Sequence, residues 1–205
     1  MNYSTKKRVY RYLNYINVLR MLNAQDISIV SSHNLASLCD VTASQLRKDL
    51  MDFPVSGKQK VGYDVSYLLD ALRTSVQRQK TEPIIVVGAG FLGTALLKYP
   101  GFKAYGFDII AAFDVDVTPR KDVAIPIIHV SEMPDFIRKN EVKLAILSVP
   151  GEAAQSIARK LAEAGIIKIL NLAPVVLALP DTVNVNNVNI VFELEYLMFG
   201  KDGQS

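Results

Sequence analysis

Apolar residues recur at helical spacing near the start of the chain, whereas from residue 84 onward they gather into short runs separated by helical stretches. In residues 3–22, Tyr12, Ile16, Leu19 and Met21 with Leu22 mark one face of a first helix, which ends at the polar turn 23–26. Ser31 and Ser32 supply an N-cap, Leu35, Ala36 and Leu38 form an apolar face, and Asp40 with Val41 closes a short second helix. Thr42, Ala43, Ser44 and Gln45 have the capping-box pattern, with Gln45 placed to reach back to the N–H of the cap, and start a third helix that runs to about Asp52. Residues 54–60 (PVSGKQK) read as a hairpin tip with 61–65 as its returning strand. Ser66 reads as the cap of a helix over 67–78, and 77–82 as a linker.

From residue 84 the alternation predicts strands at 84–88, 109–114, 126–129, 143–149 and 167–171. Helices fall between them near 91–99, 131–139 and 151–164, the last ended by Gly165. This is an α/β pattern, a doubly wound parallel sheet whose ligands bind beyond the carboxyl ends of its strands. The expected organisation is a winged helix-turn-helix over 1–80, a Rossmann nucleotide-binding domain over 81–190, and an apolar C-terminal helix and tail over 191–205.

Charge separates the two larger parts. Residues 1–80 hold 12 Lys and Arg against 6 Asp and Glu, the remainder 11 against 14, so a net +3 conceals a basic first part and an acidic second. A basic small domain points toward nucleic acid. On the third helix Leu46 and Leu50 face inward, leaving Ser44, Gln45, Arg47 and Lys48 outward. Arg and Lys suit guanine edges or phosphate, Gln suits adenine, and Ser allows close approach to the backbone. Lys58 and Lys60 on the hairpin tip make it a basic wing. The single cysteine, Cys39, excludes an intramolecular disulfide and a cysteine-rich metal site. No apolar run reaches the length of a membrane helix and the start has no signal-peptide pattern, so a cytoplasmic protein with neither membrane nor metal partner is expected.

The loop IIVVGAGFLG at 84–93 carries the most chemistry. Gly88 allows a tight turn, Gly90 lets backbone approach a pyrophosphate, and Gly93 lets the helix pack on the strand; Ala89, Phe91 and Leu92 complete the loop. Asp114, 21 positions after Gly93 and followed by Val115, is the acidic residue that accepts from a ribose hydroxyl, which favours NAD(H) over a 2′-phosphorylated cofactor. Ser148, Val149 and Pro150 end the fourth strand, and Asn171, Ala173 and Pro174 follow the fifth, bordering the same crevice. His33 and His129 have no neighbours in a catalytic arrangement, so no catalytic residue is expected and the nucleotide reads as a signal.

Taken together, Ser31-Ser32, VTASQLRKDL (41–50), Val61-Gly62-Tyr63, the glycine loop, YPGF (99–102), AAFDVD (111–116), VPGEAAQ (149–155), AGIIKILNLAP (164–174) and 188–197 resemble the Rex family of redox-sensing transcriptional repressors, over nearly the whole chain. The resemblance implies a homodimer that exchanges its C-terminal helices, binds double-stranded operator DNA, and leaves it when NADH replaces NAD⁺. It also implies a switch in which an arginine on the first helix and an aspartate before the last helix pair in one state, with a tyrosine sharing the aspartate. Here Asn14 and Asn189 stand at the two charged positions, and Tyr99 keeps the tyrosine. Losing both charges strands neither, so the expectation is a redox preference that is retained but weaker or differently wired. The family's wing glycine and arginine are absent, Leu172 replaces a frequent phenylalanine and Asp122 a frequent glycine. Two other readings compete: an NAD-dependent oxidoreductase, which would need a catalytic acid or base, and a CoA-binding module.

Overall fold

The structure, a computed structural model, describes residues 3–55, 61–76 and 81–199. It divides into two compact units, Met1–Gln79 and Lys80–Ser205.

In the first unit, α1 (Tyr3–Ala24), α2 (Ser32–Leu38), α3 (Ala43–Leu50) and α4 (Val65–Val76) enclose one apolar core. Tyr12, Tyr15, Ile16, Leu19 and Leu22 of α1 meet Leu35 and Ala36 of α2, Leu46 and Leu50 of α3, and Leu68, Leu69 and Leu72 of α4. Leu38, expected on the inward face of α2, is exposed because it lies in the last turn of that helix. Ser31 caps α2 by accepting from the Asn34 N–H at 3.1 Å, and Thr42 caps α3 by accepting from the Gln45 N–H at 3.1 Å. Helix α4 begins before the expected Ser66. The Asp64 carboxylate accepts from the Tyr67 N–H at 2.9 Å and from the Ser66 hydroxyl at 2.8 Å, and this charged acceptor takes the capping role. The returning strand is β2 (Tyr63–Asp64), and its partner is β1 (Ile29–Val30), antiparallel, rather than the segment before the tip. Lys58, Lys60 and the rest of 56–60 in the expected tip lie outside the described residues, as do 77–80 of the expected linker and 200–205 of the tail.

The second unit is built on a six-stranded parallel sheet in the order β5 (Ile127–His129), β4 (Phe107–Asp114), β3 (Glu82–Val87), β6 (Leu144–Leu147), β7 (Lys168–Asn171), β8 (Asn184–Asn187). Along β3 the side chains alternate. Ile84 and Val86 join a core with Leu97 of α5 (Phe91–Lys98), while Ile85 and Val87 join a core on the other face with Ile137 of α7 (Met133–Lys139) and Ala154, Ala158 and Leu161 of α8 (Gly151–Ala164). Burial on both faces explains why β3 is a continuous apolar run. The chain crosses from β3 to β4 and β5 on one side and returns to β6 on the other, so the strand order reverses between β3 and β6. A short helix α6 (Gly101–Ala104) follows α5. Strand β3 starts inside the expected linker, and β8 carries no strand pattern in its sequence because three of its four residues are asparagine. The last helix, α9 (Ile190–Phe199), holds Ile190, Val191, Phe192, Leu194, Tyr196, Leu197 and Met198 at 58–76% exposure.

Candidate nucleotide and nucleic-acid sites

In the first unit, α2, the turn 39–42 and α3 form a helix-turn-helix. Ser44, Arg47 and Lys48 are exposed on α3, and Arg47 Nη1 donates to Ser32 Oγ at 3.2 Å, so Ser32 steadies the guanidinium. Gln45 is half-buried. It does not close the capping box: its Nε2 donates to Asp49 Oδ1 at 2.8 Å, a charged acceptor one turn along the same helix.

Asp49 is the residue that sequence reasoning missed. It is buried, and its carboxylate receives Arg11 Nε at 2.6 Å and Nη2 at 2.8 Å, the Tyr15 hydroxyl at 2.9 Å, and Gln45. Burial opposes its charge, but the bonds from Arg11, Tyr15 and Gln45 outweigh that opposition and hold the carboxyl below its ordinary range. Tyr15 is pushed upward by burial and by its bond to Asp49. A neighbouring group repeats the theme, with the Tyr12 hydroxyl donating to Asp52 Oδ2 at 2.5 Å and Arg8 Nη1 lying 3.4 Å from the same oxygen. The first group bolts α1 to α3, and the second bolts α1 to the turn that follows α3. The Cys39 thiol is buried in the core and pushed up to about 11 by desolvation, which leaves it inert at neutral pH.

In the second unit the glycine loop joins β3 to α5 at the point where the strand order reverses. Gly88 has φ +96°, and a Cβ there would lie 2.4 Å from the Ser148 carbonyl oxygen; a Cβ on Gly93 would lie 1.8 Å from the Gly88 carbonyl oxygen. Only glycine fits either position. A Cβ on Gly90 would meet nothing within 4 Å, so the strand–helix junction opens there onto free space. Gly90 is also the N-cap of α5, with no side chain closing the helix start. An unblocked N-terminus next to vacant space is a cradle for an anion such as pyrophosphate.

The Asp114 carboxylate stands beside it. Oδ2 accepts from the Ala89 N–H at 2.5 Å and Oδ1 from the Asp116 N–H at 3.0 Å, leaving acceptor positions for hydroxyl groups. Arg120 folds back over the loop, donating through Nε to the Ala89 carbonyl at 3.2 Å and pairing with Asp116 at 3.2 Å. The result is a cleft of about 450 Å³ lined by Ala89, Gly90, Phe91, Thr94, Lys98, Arg120 and Lys121. Lys98 was not anticipated from sequence, because it lies at the far end of α5. Phe91 is fully exposed at the loop tip, Leu92 and Val115 are also exposed, and Asp122 adopts φ 58°, a left-handed conformation in which aspartate substitutes for glycine.

Other residues assigned to the crevice divide by what they already bind. Ser148 Oγ lies 2.8 Å from the Gly88 carbonyl and 3.3 Å from that of Val87, so it braces the loop; Val149 packs on the core, and Pro150 is the N-cap of α8. Asn171, expected at the crevice, turns inward instead. It is fully buried, its Nδ2 donates to the Val175 carbonyl at 2.7 Å and to Asn187 Oδ1 at 2.9 Å, and its Oδ1 accepts from the Ala173 N–H at 3.1 Å. Asn171 therefore holds β8 and the loop after β7 in place and has no surface for a ligand. Ala173 is buried and offers only backbone, while Pro174 is exposed.

The three expected switch residues are each engaged within their own unit. Asn14 Nδ2 donates to the Cys39 carbonyl at 3.1 Å. Asn189 Oδ1 accepts from the N–H groups of Val191 at 3.0 Å and Phe192 at 3.3 Å, capping α9. Tyr99 folds over Gly101 and meets Phe102 edge-on with ring centroids 5.5 Å apart. His129 Nδ1 lies 2.7 Å from Ser131 Oγ, a turn contact. Among the described residues, no group of His, Cys, Asp and Glu is arranged to hold a metal, and no helix is long and apolar enough to cross a membrane.

Two family models match parts of this architecture: one described as "Putative DNA-binding protein N-terminus" over residues 4–50, and one described as "CoA binding domain" over residues 79–175. A Redox-sensing transcriptional repressor Rex from Carboxydothermus hydrogenoformans is 39% identical over 187 residues, covering 90% of each chain. The chain belongs to the Rex family. A solved Rex-family repressor, RSP, is similar in two states. Its complex with β-NAD⁺ and operator DNA has a TM-score of 0.80 and 33% identity, covering 94% of this chain and 91% of that one. Its complex with β-NADH has a TM-score of 0.80 and 32% identity, covering 97% and 94%. The Rossmann architecture and the DNA-binding N-terminal module agree with this membership.

Proposed function

We propose that this chain is a redox-sensing transcriptional repressor and not an enzyme, one that binds double-stranded operator DNA through α3 and reads the NADH/NAD⁺ ratio through the glycine loop. The vacant space at Gly90, bounded by the open start of α5 and by Asp114, is the observation that carries the nucleotide half. NAD(H) fits this cradle: the helix start faces the pyrophosphate and Asp114 accepts from the adenosine ribose. When bound, the nucleotide brings a nicotinamide whose charge changes with its redox state. The residues proposed to contact it are Gly88, Ala89, Gly90, Phe91, Leu92, Gly93, Tyr99, Asp114, Val115, Ser148, Val149, Pro150 and the backbone of Ala173 and Pro174. For DNA they are Ser31, Ser32, Ser44, Gln45, Arg47, Lys48, Lys58 and Lys60.

RSP was solved with NAD⁺ and operator DNA together and, separately, with NADH. By analogy, NADH favours release here. The two nucleotides regulate only through different affinities for the two arrangements, and a coupling of about 1–3 kcal/mol gives roughly 5–150-fold regulation. The apolar face of α9 supports a homodimer in which this helix packs on a second subunit, because such a patch left bare is unfavourable in water. A repressor of this kind acts in the cytoplasm, where the DNA is. Asn14, Tyr99 and Asn189 remain the proposed switch, working through neutral contacts.

The match to a CoA-binding model supports a second reading. CoA carries a phosphate on its adenosine ribose, and Asp114 would repel it, so NAD(H) is favoured. One experiment separates these readings: genomic fragments retained by the immobilised protein are eluted with NADH, NAD⁺ or CoA. Elution by NADH at lower concentration than by NAD⁺ is expected. Equal elution by both nucleotides overturns redox sensing, and elution by CoA alone favours the rival.

A further inference from the structure

We propose that Asp49 is a positioning residue that fixes the Gln45 amide as a reader of adenine, giving the third helix a preference at one base pair. The inference rests on the DNA-binding reading and adds to it the base that one side chain selects. Gln45 is the third residue of α3, at the end from which helix-turn-helix readers contact base edges. One of its amide hydrogens goes to Asp49 Oδ1 at 2.8 Å. The same carboxylate receives two bonds from Arg11 and one from Tyr15, so its four acceptor positions are all occupied and it has no proton to donate. Gln45 cannot turn its amide over, because its carbonyl oxygen would then face a carboxylate.

What remains on Gln45 is Oε1 and the second N–H. That pair matches the N6 donor and N7 acceptor that adenine shows in the major groove. Guanine shows acceptors at both O6 and N7, so Oε1 would be set against O6. Arg47 is held separately by Ser32, and its donors suit guanine or phosphate. The two readers thus have independent supports.

The test is selection of bound duplexes from a library with randomised positions, using the full chain. The wild-type motif should contain an adenine whose enrichment over guanine, about 5–150-fold, disappears in Gln45→Ala while the other columns persist. In Asp49→Asn, whose amide no longer fixes the orientation of Gln45, the same column should blur and the rest stay sharp. Circular dichroism checks that Asp49→Asn folds; if it does not, Gln45→Ala decides. A Gln45→Ala motif identical to wild type, or one weakened equally in every column, overturns the inference and leaves the DNA-binding reading standing. A library from which the wild type selects nothing overturns both.

Discussion

The junction of α1 with α3 and the glycine loop solve opposite problems. At the junction, a buried carboxylate gathers Arg11, Tyr15 and Gln45, so order comes from side chains that satisfy one another. At the loop, order comes from removing side chains: Gly88 and Gly93 exist because a Cβ would strike backbone, and Gly90 because the space beside it is left open. A base edge is read by an oriented side chain, which must be held, whereas a pyrophosphate is read by backbone, which must be uncovered. The contrast predicts that damage to the two regions differs in kind.

The largest effect should come from Gly88→Ala. Its left-handed φ costs a side chain about 1–3 kcal/mol, and the clash with Ser148 adds to that. NADH affinity measured by titration calorimetry should fall at least roughly 100-fold, a loss of about 3 kcal/mol, with DNA affinity in the absence of nucleotide little changed. An affinity within twofold of wild type would remove the loop from the nucleotide site.

Asp49→Ala should reverse the pattern, leaving NADH binding intact and destabilising the first unit. Removing one partner of a buried pair costs about 3–5 kcal/mol, and about 2–4 is expected because Arg11 keeps 26% of its side chain in water. Its pH dependence has a definite sign. The folded carboxyl titrates below its unfolded value, so the stabilisation is complete above the ordinary carboxylate pKa of about 4 and is lost as pH falls through the depressed value. The difference between wild type and variant in urea unfolding should be constant from neutral pH down to that point and shrink below it. A difference that grows on acidification would contradict the arrangement. Smallest is Thr42→Ala, which removes one capping bond from α3 and should cost about 1 kcal/mol; thermal denaturation showing no change would mean the cap adds nothing there.

What was legible in the chain was local. Ser31 and Thr42 announce helix starts within three residues of the N–H groups they accept from, and the three glycines announce a turn, an approach and a packing contact within six. What escaped reading depends on distance along the chain. Asp49 meets Arg11 across 38 positions, and β1 is two residues that become a strand only by pairing with Tyr63 and Asp64. Asn171 stands at the carboxyl end of an apolar strand, where crevice residues are expected, yet its partners Val175 and Asn187 make it an internal brace. The β8 segment has almost no apolar signal and is held as a strand by register with β7.

That same β8 has a consequence for how copies of the molecule meet. It forms the sheet's edge, four residues long and mostly asparagine, immediately before a helix whose apolar face is bare. An apolar edge there would invite strand-by-strand growth without limit. A short polar one leaves the helix as the adhesive surface, and in the homodimer proposed above, a helix exchanged about a two-fold axis would end assembly at a closed pair instead of a fibre.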